Sequence, residues 1–376
     1  VDRPEDDARA RPPLFVTRKF PPSVGGMETL AAGVWRTLRA GVPGARLVAH
    51  GGSNRALPRW LPRAVATTAA LAARREVGLV LSGDAVVHAA LSPVLRALRV
   101  PHATMVMGLD VTYDSALYRA TVLPWLRRAP LVVAISAATA DAAVAAGVPR
   151  ERVRVLRLGV EVPDLGPQDR AAARRALLDD LGLGDDAVLL LTLGRLVRRK
   201  GVRWFVEEVL PALPPQVVHL VAGDGEERGA VLDAAARAGV GDRVRLLGRV
   251  DDATRERLLR GADAFVQPNV RVPGDMEGFG LVTVEAAVRG TPVVASALEG
   301  VLDAVVDGET GTLVPPEDAA AWRAALLPRV AGPAARAALA GEGARQAAAT
   351  RARYGEEAMG AELAALLGLR PGAPSA

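Results

Sequence analysis

The sequence predicts an α/β protein built from two doubly wound, Rossmann-like units, and three observations carry that expectation. Its 376 residues exceed the ~100–200 of a usual compact domain, so two domains are expected. Short apolar runs alternate with helix-patterned stretches nearly throughout, the signature of parallel sheets covered by helices. The alternation stops once, over Leu158 to Gln168, where Gly159, Pro163, Gly166 and Pro167 punctuate the chain, and then restarts.

The elements follow in order. In the first half, Pro13–Thr17, Arg46–His50, Gly78–Ser82, His102–Met107, Leu131–Ile135 and Val153–Leu156 are short apolar runs and read as strands. Met27–Ala40, Leu61–Glu76, Ala85–Leu98, Ser115–Arg128 and Ala137–Ala146 carry the helical pattern between them. After the break, strands are expected at Val188–Leu193, Val217–Ala222, Val244–Leu247, Ala264–Gln267 and Pro292–Ala295. Helices are expected at Arg170–Leu181, Val202–Leu210, Glu226–Ala238, Ala253–Leu259, Leu281–Arg289 and Glu317–Leu327, with an Ala-rich terminal helix from about Ala335 to Leu367. The organisation is then a disordered leader (1–12), an N-terminal domain (13–160), a linker (161–168), a C-terminal domain (169–330), and a terminal helix and tail (331–376). Packing of that tail back on the N-terminal domain is one arrangement open to it. In doubly wound sheets ligands bind beyond the strand C-termini, so two such units facing each other would make an interdomain cleft.

Composition removes several classes. The absence of cysteine excludes a disulfide scaffold, a Cys-ligated metal and a thiol nucleophile, and fits a reducing compartment. Four scattered histidines without an H-x-x-x-H pair leave little for a metal centre, so neither metal nor cofactor is expected. The net charge of +5 is small and the arginines are dispersed, which gives nucleic-acid binding no support. The longest stretch without a charged residue, Val209 to Gly223, has 15 residues and three prolines, short of the ~18–20 a spanning helix needs. Val1 to Arg11 is charged and Pro-containing, unlike a secretory signal. The expected location is the cytoplasm. The arginines at 59, 63, 74 and 75 form either a solvated face or a peripheral contact with a lipid surface.

The sharpest local signal runs from Pro273 to Ala286, between a buried-type strand and a helix. Gly278 and Gly280 let the backbone approach a ligand closely, and the helix from Leu281 aims free N–H groups and its positive end at that loop. An anion is expected there. Glu277 on the loop can accept hydrogen bonds from vicinal sugar hydroxyls, and Glu285, two turns into the helix, can reach another diol. Taken alone, E-G-F-G reads equally as a solvated acid beside a glycine turn; Glu285 and the downstream run Gly290 to Ala295 favour the ligand site.

A second signal, Leu193 to Gly201, follows the first strand of the second half and holds Arg195 and Lys200. A departing diphosphate needs its growing charge neutralised, which a guanidinium and an ammonium do without metal. The alternative is a basic turn. Of 47 basic residues only Lys19 and Lys200 are lysine, and one of the two falling here favours phosphate contact. The third signal is Gly25-Gly26-Met27-Glu28, a glycine pair opening a helix, where amides can contact phosphate or admit an acceptor. The run Gly223 to Gly229 has the spacing G-x-G-x-x-x-G and does not match a dinucleotide fingerprint.

Together, Gly25-Gly26-Met27-Glu28, Gly194-Arg195-Leu196 with Lys200-Gly201, and the paired Glu277 and Glu285 resemble the family-four retaining glycosyltransferases, over roughly Leu14 to Leu327. The resemblance implies the GT-B architecture, two Rossmann-like domains facing across a cleft. It further implies a nucleotide-activated hexose-type donor held mainly by the C-terminal domain, and a small-molecule, saccharide or lipid-linked acceptor bound mainly by the N-terminal one. By position, Arg195 and Lys200 hold the diphosphate and Glu277 the sugar hydroxyls. The amides of Phe279 and Gly280 lie near sugar and phosphate, Leu281 and Val282 line the phosphates, Glu285 takes the ribose diol, and Arg249 and Val250 border the base. Retention and independence of metal are part of the same implication, and no D-x-D triplet occurs in the chain.

One departure stands out. Where the family commonly carries His just before the glycine of Val106 to Asp110, this chain has Met107, whose thioether cannot donate a hydrogen bond or act as an acid–base group. Either that His is dispensable here, or Asp110 or His50 substitutes, or activity is reduced. The rival readings are a catalytically reduced sugar-nucleotide-binding partner subunit, a nucleotide-sugar epimerase of similar frame, and an NAD(P) oxidoreductase, for which no proper glycine fingerprint is present. The sequence leaves sugar, base, acceptor and oligomeric state open.

Overall fold

A computed structural model describes residues 11–164 and 167–369. Nearly all of the expected leader, the middle of the expected linker and the end of the tail lie outside the described residues. The chain divides into two compact units, Val1–Gly159 with Tyr354–Ala376, and Val160–Arg353.

In the first unit six strands form one parallel sheet: β1 (Pro13–Thr17), β2 (Arg46–Ala49), β3 (Leu79–Ser82), β4 (His102–Val106), β5 (Val132–Ala134) and β6 (Val153–Val155), in the order β2-β1-β3-β4-β5-β6. Helices cross between consecutive strands, as parallel pairing demands. β1 and β4 are buried along their whole length; β1 is an apolar run up to Thr17, whereas β4 buries the polar His102 and Thr104 between apolar neighbours. Leu14, Val16 and Val80 pack against Val87, Leu91 and Leu95 of the helix Ala85–Ala97. That helix begins at Asp84, whose carboxylate accepts the N–H groups of Val86 and Val87 at 2.8 and 3.1 Å, a cap worth about 1 kcal/mol. The strand order reverses between β1 and β3, which makes their C-terminal ends the crevice of this sheet.

The stretch Ser115–Arg128 is not one helix. It forms two short pieces, Ala116–Thr121 and Leu123–Leu126, preceded by a turn over Leu109–Thr112. Pro124 lacks the N–H that a continuous helix would bond to Ala120. The Ala-rich terminal stretch is also two helices, Pro333–Tyr354 and Glu356–Leu367, parted at Gly355 with ψ 148°. The boundary expected at 331 therefore moves: the first of these helices lies almost wholly within the second unit, and only the second belongs to the first unit. There Glu356 pairs with Arg36, and Met359 Sδ accepts the Gly159 N–H at 3.2 Å.

The second unit carries β7 (Val188–Leu193), β8 (Val217–Ala222), β9 (Val244–Gly248), β10 (Ala264–Gln267), β11 (Val293–Ser296) and β12 (Thr312–Val314), all parallel, in the order β12-β11-β10-β7-β8-β9. This is the doubly wound order of dinucleotide-binding sheets, with its switch point between β7 and β10. β12, a three-residue edge strand paired with β11, has no counterpart among the expected strands. Phe205 and Trp322 meet edge to face at 5.7 Å in the core on one side of the sheet. His219 is fully buried with Nε2 2.9 Å from Thr192 Oγ1, and burial pushes its pKa down to about 3, so it is a neutral core residue.

Candidate active site

The second unit gathers its charged loops at the β7/β10 switch point. The chain leaves β7 through Gly194 and Arg195 and makes a tight turn over Arg198–Lys200. Gly201 ends that turn at φ 65°, and a Cβ there would lie 1.7 Å from the Pro268 carbonyl oxygen, so only glycine lets the turn close on the end of β10. This approach puts Lys200 beside the loop that follows β10.

Lys200 Nζ donates to Glu277 Oε2 at 2.5 Å, and Asn269 Nδ2 donates to the same oxygen at 3.2 Å. Arg199 lies 3.7 Å from that oxygen and 3.3 Å from Asp275. Lys200 and Glu277 are both more than nine-tenths buried. Burial alone would raise the Glu277 pKa, but Lys200 and Arg199 outweigh it and hold the carboxyl at about 2. Burial draws the Lys200 ammonium below the ordinary lysine range, Glu277 opposes that, and Arg199 and Arg195 add to it. Arg195 itself is exposed. Several polar atoms here lack a hydrogen-bond partner although buried: Arg199 Nε, Asn269 Oδ1, and both amide atoms of Gln267. Such groups cost about 1–3 kcal/mol each when left unmade, so a polar ligand that reached them would be favoured.

Beyond Glu277 the loop passes Gly278 and the buried Phe279 to Gly280, at φ 87°, which opens the helix Leu281–Val288. No side chain caps that helix. The amides of Leu281 and Val282 belong to its first turn, where N–H groups lack intrahelical partners, and both residues are half-buried. A Cβ on Gly280 would lie 3.2 Å from Gln267 Nε2, so the loop, the Gln267 amide and the helix N-terminus converge. Glu285 is buried on the same helix and already ion-paired with Arg255 of the helix Asp252–Gly261. Arg249 and Val250 follow β9, the former exposed and the latter half-buried. The structure thus brings Lys200 and Glu277 into direct contact. Arg199, Asn269 and Gln267 are not among the residues that the sequence singles out. Arg199 is adjacent to the chosen lysine, and the two amides flank a strand end, so position relative to β10 was the available signal.

The first unit holds the remaining candidates. Met107 is buried at the end of β4, and its N–H donates to Asp110 Oδ1 at 2.7 Å. The second oxygen, Oδ2, is buried without a partner. Burial above all, helped by the charge of Asp84, raises the Asp110 pKa to about 7, while the Met107 amide opposes the rise. Asp84 is itself paired with Arg18 at 2.9 Å across the β1/β3 crevice. His50 is elsewhere: it follows β2, stacks on Trp60 at 5.4 Å and has Nε2 3.1 Å from the Ser53 carbonyl. β2 and β4 are three strand spacings apart, ~14 Å, so His50 does not stand in for a side chain at 107, whereas Asp110 is in contact with that residue. Gly25 and Gly26 open the helix Gly26–Gly41, where the Glu28 carboxylate folds back over Gly25 and pairs with Lys19 at 3.4 Å.

Asp110 has a stability consequence. Its folded pKa lies above the ordinary 3.8, so the stability it contributes is complete below about pH 4 and is lost as pH rises through about 7. Asp110→Asn keeps an oxygen for the Met107 amide and removes the titration. The variant is expected to gain stability over the parent at pH 8 by a few kcal/mol and to show a flatter profile between pH ~4 and ~8 in chemical denaturation.

Among the described residues no group of three or more His, Asp or Glu is placed to hold a metal ion, and no helix is long and apolar enough to cross a membrane.

A family described as Glycosyltransferase Family 4 matches residues 24–163, and one described as Glycosyl transferases group 1 matches 187–355. Curated relatives include the D-inositol 3-phosphate glycosyltransferase of Geodermatophilus obscurus, 38% identical over 191 residues, covering 48% of this chain and 40% of the relative. The phosphatidyl-myo-inositol mannosyltransferase of Mycolicibacterium smegmatis is 38% identical over 175 residues, 45% of this chain and 42% of that protein. The matched segment thus spans well under half the length of these relatives. Among solved structures, Anabaena HepE in complex with UDP and glucose superposes with a TM-score of 0.75 at 21% identity, over 95% of this chain and 99% of that one. WaaG, a glycosyltransferase involved in lipopolysaccharide biosynthesis, gives 0.66 at 19% identity over 94% and 99%. At those identities the superpositions establish the fold, which is of the GT-B type. With one family match on each unit, the chain belongs to the family-four glycosyltransferases.

Proposed function

We propose that the protein transfers a hexose-type sugar from a nucleoside diphosphate sugar to an acceptor hydroxyl, with retention at the anomeric carbon and without a metal ion. The observation that carries this reading is the buried Lys200–Glu277 contact at the switch point of the second sheet, beside an uncapped helix N-terminus and the buried amides of Gln267 and Asn269, three of whose polar atoms have no hydrogen-bond partner. Cations and amides suit a diphosphate, and a fixed carboxylate suits sugar hydroxyls; both lie within one loop cluster.

In the proposed step the bond from the anomeric carbon to the diphosphate oxygen breaks and a bond from the acceptor oxygen forms on the same face. The acceptor proton passes to the departing phosphate oxygen. Lys200 and Arg195 offset the charge that grows there, which is where a preorganised cation contributes most. Glu277 accepts from hydroxyls of the sugar, Glu285 faces the ribose, and the amides of Phe279, Gly280, Leu281 and Val282 contact sugar and phosphates. Arg249 and Val250 border the base. The first unit carries the acceptor, a saccharide, a small molecule or a lipid-linked compound, with Asp110 as its polar group beside Met107. Peripheral contact with a membrane is compatible with such an acceptor, and the expected location is the cytoplasm.

Met107 favours the second reading, a donor-binding chain with reduced catalysis. Nucleotide release measured with a panel of UDP-, GDP- and ADP-sugars, with and without EDTA and with varied acceptors, separates the two. Acceptor-dependent release that survives EDTA supports the transferase. Donor binding with no turnover for any acceptor supports the second reading, and product formed without acceptor points to an epimerase.

A further inference from the structure

Glu299 lies outside the motif residues yet touches the site at its most constrained point. Its φ of 51° places a residue with a side chain in the left-handed region, where Cβ crowds the backbone carbonyl. From there Oε2 accepts the N–H of Glu277 at 2.6 Å, and the next residue, Gly300, donates its N–H to the Glu277 carbonyl at 3.1 Å. Both backbone groups of residue 277 are therefore held by two consecutive residues. A Cβ on Gly300 would lie 2.2 Å from the Gly278 carbonyl oxygen, so the two segments press face to face.

This bracket fixes the backbone from which the Glu277 side chain reaches Lys200 and Asn269. It does so at a disadvantage to the fold. Glu299 is half-buried, and burial first, with the like charge of Glu277, pushes its carboxyl above the ordinary glutamate range, against the Glu277 amide and the cations Arg199 and Arg271. A strained backbone and a carboxylate near a like charge both work against stability, and strain of this kind concentrates where geometry has to be held.

We propose that Glu299 is a positioning residue of the donor site: by accepting the Glu277 N–H it sets where the Glu277 carboxylate meets the hydroxyls of a nucleotide sugar. The proposal rests on the function inferred above and adds a residue to it. Glycine adopts the left-handed conformation freely, so Glu299→Gly removes the strain and the hydrogen bond together. Glu299→Gln keeps an accepting oxygen.

The test uses the full chain with three readouts: thermal midpoint, hydrogen exchange of the peptide containing the Glu277 amide, and titration with UDP-glucose and GDP-mannose. For Glu299→Gly the midpoint is expected to hold or rise, while exchange at Glu277 quickens and affinity for whichever probe binds the parent falls, each about fivefold. Glu299→Gln is expected to restore both to within about twofold of the parent. Unchanged exchange and affinity in Glu299→Gly overturn the proposal. So does a midpoint that falls along with affinity and is not recovered by glutamine, since that assigns Glu299 a general structural part. If the parent binds neither probe nor any other nucleotide sugar, the functional reading fails, and exchange at Glu277 alone decides the positioning role.

Discussion

Lys200→Ala is expected to lower sugar transfer at least tenfold, the equivalent of ~1.4 kcal/mol of transition-state stabilisation, and to destabilise the fold by about 3 kcal/mol. Both effects come from one atom. Nζ is buried and 2.5 Å from Glu277, so its removal strands a buried carboxylate with only Arg199 at 3.7 Å and Asn269 at 3.2 Å. In the proposed reaction the same ammonium offsets the charge of the departing diphosphate. Arginine is not expected to replace it, because Nζ is a compact ammonium buried in direct contact with Glu277, which a planar guanidinium does not reproduce. Initial rates of nucleotide release and urea denaturation of the two chains check the pair of effects. Parental rates in the alanine variant would remove Lys200 from the site.

Glu277→Ala is expected to cut transfer by at least about the same factor, and Glu277 also carries an acid signature. Its folded pKa of about 2 lies below the ordinary 4.5, so its contribution is present above about pH 4.5 and is lost as pH falls towards 2. The shift corresponds to about 3 kcal/mol. Glu277→Gln lacks this titration, so the stabilities of parent and variant should converge on acidification, as followed by thermal midpoints from pH ~6 to ~3. A constant gap over that range would mean the carboxylate is not held by Lys200 and Arg199.

Much of the fold was legible because burial on both faces leaves an unbroken apolar run. β1, β7, β8 and β10 coincide with the expected segments, and all their residues are buried save Leu193 at the end of β7. β12 was not legible: three residues, two of them half-exposed, do not stand out from a loop. The breaks at Pro124 and Gly355 fell inside stretches of good helix formers, where composition outweighed single interruptions. Of the candidate site, Glu277 stands out by the glycines that follow it and Lys200 by being one of only two lysines. Their direct contact was not legible, since it depends on Gly201 meeting Pro268 across the switch point. Glu299 carries no signal in sequence at all, because its role is a backbone contact made 22 residues away. The pairing of Glu285 with Arg255 and the distance of His50 from Met107 are likewise products of packing and strand order.

Calorimetric titration of the full chain with UDP-, GDP- and ADP-sugars tests the central claim most directly, with Lys200→Ala titrated alongside. At least one of these compounds should give a saturable heat in the parent chain that weakens at least tenfold in the variant, a change of ~1.4 kcal/mol. No heat with any of them, or equal affinity in both chains, would contradict the assignment of the β7/β10 switch point as the seat of a glycosyl diphosphate.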